Sequence, residues 1–247
     1  MSAFTTHPPH VNTPHRSWTV LVLAALMLSM LGAPAGLAQE GETDTLFSPG
    51  PDMTVPRMDH WSVTLDDGRV LTLGGRDQFV PHVSAEIYDP LAETVTPMTM
   101  VHAHDSGAMA RLDDGRYLIV GGALQLGVQP TSPKSEIFDP ATDTFTATAG
   151  TMQRARTNAQ ACTLADGRVL IVGGWWDSNG LQASTYGELY DPAADAFTAT
   201  GPLATPRSRP MVLPTDDGNA VVIGGSLPGI NQFGPVYSVE EYDAASN

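Results

Sequence analysis

Basic and imidazole side chains recur in pairs along this chain: Arg57 with His60, His102 with His104, Arg154 with Arg156, and Arg207 with Arg209. Paired guanidinium groups bind carboxylates through two parallel hydrogen bonds, and positive charge focused in a cleft attracts anions. With Arg76 and Lys134 in the loops beyond, these residues are candidate ligands for an acidic group. His102-x-His104 followed by Asp105 has metal-ligand spacing, because alternate residues of an extended chain share a face. No third ligand stands nearby, so a satisfied histidine pair is expected, with no metal and no cofactor. The aromatic residues Phe79, Trp175, Trp176, Tyr186, Phe233 and Tyr237 are candidates for stacking on sugar rings or on a partner's apolar groups. They are equally suited to plugging the mouth of a small ring. The sequence holds no Gly-x-Ser-x-Gly, no zinc-type cysteine spacing and no glycine-rich phosphate loop leading into a helix.

What positions these residues is a repeat. Glycine pairs at Gly74-Gly75, Gly121-Gly122, Gly173-Gly174 and Gly224-Gly225 lie 47, 52 and 51 residues apart. Ahead of them stand "DDGRVLTLGG", "DDGRYLIVGG", "ADGRVLIVGG" and "DDGNAVVIGG"; behind them come "AEIYDP", "SEIFDP", "GELYDP" and "EEYDA", which carry Glu86, Glu136, Glu188 and Glu240. The Asp-Gly steps are hairpin signals, and each β-branched run stopped by glycine reads as a strand. A shorter alternating run, such as "DTFTATAG", follows each of the first three. The pattern predicts an all-β chain of four repeats of four antiparallel strands, spanning about 54–100, 101–152, 153–203 and 204–247. The loops after the glycine pairs differ in every repeat, which marks a binding surface on a constant scaffold.

Glycine pairs, a strand-three glutamate and a Tyr/Phe-Asp step, repeated about every fifty residues, resemble the kelch repeat of β-propellers. The resemblance covers residues 39–247 and implies that each repeat is one blade. Kelch units usually place tryptophan in the fourth strand; here that slot holds Val95, Phe145, Phe197 and Phe47. The fourth repeat lacks its last strand, and "ETDTLFSPGPDM" near the N-terminus resembles the missing piece. This predicts a ring closed by the N-terminal strand, residues 44–53, as one four-bladed propeller. Two chains sharing a larger ring, or a portion of a larger propeller, are the alternatives. The resemblance also implies a structural role for some of the Arg/His residues, pairing with the strand-three glutamate of a neighbouring unit. A copper site like that of galactose oxidase, also kelch-like, needs two Tyr, two His and a Tyr-linked Cys. The segments between repeats here hold no Tyr, and Cys162 falls in a strand pattern that buries it.

The 12 Lys+Arg against 27 Asp+Glu give a net charge of −15, which argues against nucleic acid or an anionic membrane as partner. An acid-free start, Arg16, the apolar run 18–31 and small residues up to Ala38 read as a cleaved signal peptide, 1–38. The sequence thus predicts a secreted or periplasmic, monomeric, non-catalytic binding module for a protein or an acidic glycan. A saccharide lyase, hydrolase or oxidase using His60, His102 and His104 is the competing class.

Overall fold

The computed structural model describes residues 47–78, 80–123, 131–175, 182–227 and 234–246. The chain divides into two compact units, Met1–Pro49 and Gly50–Asn247. The expected signal segment and residues 44–46 of the closing strand lie outside the described residues, as do Phe79, Trp176 and Phe233.

The second unit, Gly50–Asn247, is all-β, and among the described residues it contains no helix. Sheet one joins β1 (Trp61–Thr64), β2 (Val70–Leu73), β3 (Ser84–Asp89) and β4 (Thr94–Thr99) in that order, every pair antiparallel. Sheet two repeats the order with β5 (Ala108–Arg111), β6 (Tyr117–Val120), β7 (Ser135–Asp139) and β8 (Thr144–Ala147). Sheet three does so with β9 (Gln160–Thr163), β10 (Val169–Val172), β11 (Gly187–Asp191) and β12 (Ala196–Ala199). After β13 (Met211–Pro214) and β14 (Ala220–Ile223) comes a two-residue ladder, β15 (Ser226–Leu227) with β16 (Gly234–Pro235). Sheet four then ends with β17 (Val239–Tyr242), in the order β13-β14-β17.

The turns follow from the repeated residues. Gly68, Gly115, Gly167 and Gly218 take φ of +82° to +92°, a region open to glycine, and close each first hairpin. The Asp of each Tyr/Phe-Asp step caps the turn into the next strand. The Asp89, Asp139, Asp191 and Asp243 carboxylates accept amide hydrogen bonds from Leu91, Ala141, Ala193 and Ala245 at 2.8–3.0 Å.

Burial shows which sheets are interior. Every residue of β6 and β10 is buried, so both faces are covered, whereas β2 and β14 alternate. Three apolar clusters join the sheets in sequence. Leu71, Leu73 and Ile87 meet Ile119 and Phe138; Leu118 and Ile137 meet Ile171 and Tyr190; Leu170 and Leu189 meet Val212 and Val222. Phe145 and Phe197, on the fourth strands of sheets two and three, pack on Phe138 and Tyr190 with ring centroids 4.8 and 4.9 Å apart.

Among the described residues, sheet four has three strands, not the expected four. Residues 47–53 form no strand, so the expected closure by residues 44–53 is not formed among the described residues. Likeness to β8 and β12 signals strand propensity, but pairing between distant segments is a tertiary contact that sequence likeness does not supply.

Candidate functional site

The residues expected to face a ligand divide into two groups, and the first is built into the scaffold. The Glu86 carboxylate accepts hydrogen bonds from the Thr54 and Val55 amides at 2.8 and 3.1 Å and from Arg57 Nη2 at 2.7 Å. Arg57 also donates to the Gly74 and Ser84 carbonyls at 2.8 and 2.9 Å. Arg156 repeats this with Glu188 at 2.7 Å and with the Tyr186 carbonyl at 2.7 Å; the Gln153 and Arg154 amides complete it. Arg207 repeats it with Glu240 and the Gly224 and Ser238 carbonyls.

In the second repeat His104 stands in the arginine's place. Its Nε2 lies 2.9 Å from Glu136 and its Nδ1 2.6 Å from the Gly121 carbonyl. Both ring nitrogens thus face oxygen acceptors of the same repeat. The side chains of Arg57, His104, Arg156 and Arg207 are at most 1% exposed. Each clamp therefore closes inside its own repeat, not onto a neighbour's glutamate, and leaves no cation facing solvent. Burial alone pushes the Glu86 carboxyl up, but Arg57 and the Thr54 amide outweigh it and hold it below its ordinary range. Burial pulls the Arg156 guanidinium below its ordinary range, against Glu188.

The two glycines of each pair have separate tasks. A Cβ on Gly121 or Gly173 would lie 2.5 or 2.6 Å from the carbonyl oxygen of Arg156 or Arg207 in the next repeat; on Gly74 it would meet His104's. The second glycine donates its amide to that same carbonyl: Gly75 to His104 at 3.2 Å, Gly122 to Arg156 at 2.8 Å and Gly174 to Arg207 at 2.9 Å. A second line of bonds runs through four non-glycine residues at φ of 52–55°, Asp59, Ser106, Asn158 and Arg209. Ser106 donates to the Asp59 carbonyl at 3.3 Å, Asn158 to Ser106 at 2.7 Å and Arg209 to Asn158 at 2.9 Å. Sequence reasoning missed this line. Its signal is short polar residues two places after each clamp cation, types that tolerate the left-handed region; Arg209 breaks the pattern.

The second group lies toward solvent beside that line. Arg76 Nη1 bridges Asp59 at 2.5 Å and Asp105 at 2.8 Å, so its charge is met within the protein. Burial pushes the Asp105 carboxyl up, opposed by Arg76. The Arg154 guanidinium carbon sits 3.7 Å from the Tyr186 ring centroid, and Arg209 Nε donates to Asn158 Oδ1 at 2.8 Å. His60 and Lys134 are exposed; His102 is half-buried, its ring edge-on to His104. Burial lowers the His102 imidazole. Tyr237 is 89% exposed, whereas Trp175 is 6% exposed and its backbone bridges Thr157 and Ala183. Of the expected basic ring, His60, Lys134 and Arg209 are exposed, and Arg154 and His102 are half-buried. Among the described residues, no group of three or more His, Cys, Asp or Glu is arranged to hold a metal ion.

Two predictions arise here. Trp175→Ala is expected to lower stability by about 2 kcal/mol, less than a deep-core tryptophan because a loop can collapse into the space. Thermal melting measures it, and an unchanged melting temperature would return Trp175 to the ligand face. Burial pushes the Cys162 thiol up to about 11. Its thiolate fraction near pH 8 then falls about 100-fold below that of an unfolded chain, and iodoacetamide should label it correspondingly slowly until denaturant is added.

No protein-family model matches this sequence, and no curated protein matches it.

Proposed function

We propose that this chain is an exported, non-catalytic binding module built of kelch-type propeller blades, which engages a protein or an acidic glycan through its variable loop face. The observation that carries this reading is a contrast. All four repeats spend the same Glu and Arg/His groups on the same internal clamp, so those groups are scaffold. The groups outside the clamps, half-buried Arg154 over Tyr186 and exposed Arg209, His60 and Tyr237, differ from repeat to repeat. A cation beside an exposed aromatic ring suits an acidic sugar or an acidic peptide with an apolar neighbour. Export rests on the basic-apolar-small pattern of residues 1–38.

Thermal shift of the purified protein against polygalacturonate, heparin and dextran tests this reading. Stabilisation by the acidic polymers alone is expected, fading with added salt and lost in Arg154→Ala/Arg209→Ala. Equal stabilisation by dextran would overturn the anionic contact. Turnover of any of the polymers would overturn the non-catalytic reading.

A further inference from the structure

Among the described residues the four sheets make three junctions, and the two halves of a fourth are left exposed. In β13, β14 and β17, Met211, Ile223 and Val239 lie directly opposite one another, and Leu213 faces Val221 on the same side. Met211, Leu213, Ile223 and Val239 are 60, 45, 38 and 60% exposed. The equivalent positions in sheet one, Trp61, Val63, Leu71, Leu73 and Ala85, lie in the cluster that meets sheet two. Only Glu241 breaks the apolar face, in the place of Ile87, Ile137 and Leu189.

The complementary half is at the other end of the same unit. Met100, Met152 and Leu203 each precede a clamp residue by four positions, and all three belong to junction clusters. Met53 precedes Arg57 by the same four positions and is 44% exposed. On the free face of sheet one, Ser62 and Thr72 hydrogen-bond each other at 2.9 Å, so covering them leaves neither hydroxyl unpaired. The backbone agrees. A Cβ on Gly224 meets only the Val236 carbonyl, 3.5 Å away, where the first three pairs meet the next repeat.

Resting on the reading of these sheets as propeller blades, we propose that two copies of this chain associate head to tail. The end face of sheet four in each copy receives sheet one of the other. The internal junctions give the register: Gly225 donates to the carbonyl of Arg57 in the second copy, whose Asp59 donates to the carbonyl of Arg209. Two such junctions close a ring of eight sheets, within the range that propellers use.

Sedimentation of the full protein over a concentration series tests this, beside Met211→Glu/Val239→Glu and Gly224→Ala. A reversible dimer is expected, weakened at least ten-fold by either variant while the monomer's circular dichroism is kept. Gly224→Ala acts by setting a methyl where the second copy's Arg57 carbonyl belongs. In a Cys162→Ala background, a short bismaleimide should join a Met53→Cys copy to a Val239→Cys copy. A monomer at every concentration, or cross-linking confined to single chains carrying both cysteines, overturns the proposal. Either result leaves the response to acidic polymers, and so the binding reading, to stand on its own test.

Discussion

Glu188→Ala is expected to destabilise the protein by about 3–5 kcal/mol, because it strands a buried cation. Arg156 is held by Glu188 Oε1 at 2.7 Å and its side chain is 1% exposed. Without the carboxylate, the guanidinium keeps only carbonyl acceptors, and the Gln153 and Arg154 amides lose theirs. Water cannot replace the lost charge cheaply in a site sealed between sheets. Removing both charges with apolar residues of similar volume, as in Arg156→Met/Glu188→Leu, should recover part of the loss, since the desolvation cost of the pair goes with it. The exposed pair Arg116–Asp114, 40 and 49% accessible, is the control. Arg116→Ala should cost under about 1 kcal/mol. Urea denaturation measures all three. A cost for Glu188→Ala no greater than the control's would mean that the clamps do not hold the repeats.

Gly173→Ala is the second large effect, about 2–4 kcal/mol from two sources. The residue sits at φ +72°, where a side chain is strained. The added methyl would lie 2.6 Å from the Arg207 carbonyl oxygen and 3.2 Å from the ring of Pro210. Those atoms are backbone and a rigid ring, so relief requires sheets three and four to separate at the point where Gly174 donates to the same carbonyl at 2.9 Å. Gly201→Ala, with no atom within 4 Å of its methyl, should be nearly neutral. If the two substitutions cost the same in urea, the glycine pair is a turn device only and the junction tolerates widening.

The sequence carried the scaffold because the scaffold is local and repeated. Asp-Gly turns, glycine-stopped β-branched runs and the Asp of each Tyr/Phe-Asp step act within a few residues. Four aligned copies therefore sufficed to place four strands in each of the first three sheets and three in the fourth by turn chemistry and alternation. The fourth strand expected at 44–53 is not formed among the described residues, and the short β15–β16 ladder went unseen. The glutamates and the cations paired with them were visible as types at constant spacing. Their partners were not. Arg57 and Glu86 are 29 residues apart and His104 and Glu136 are 32 apart, and only the antiparallel register of the sheets brings each pair within 3 Å. The same folding turned four of the expected Arg/His ligands, and Trp175, inward, a choice of side-chain direction that spacing cannot express.

The remainder was decided between sheets. Whether a glycine is needed for its own turn or for the approach of the next repeat's carbonyl depends on where that repeat sits, and Gly121 and Gly224 look alike in sequence while only Gly121 is crowded. Exposure at the ends was equally invisible: Met53 and Met152 occupy the same place before an arginine, yet one is 44% and the other 3% exposed. The repeat, its turns and the all-β class were legible without the fold, since these follow from residue type and short-range geometry. Tertiary structure alone decided which cations are scaffold and which junctions are open, because both depend on what a distant repeat places against each residue.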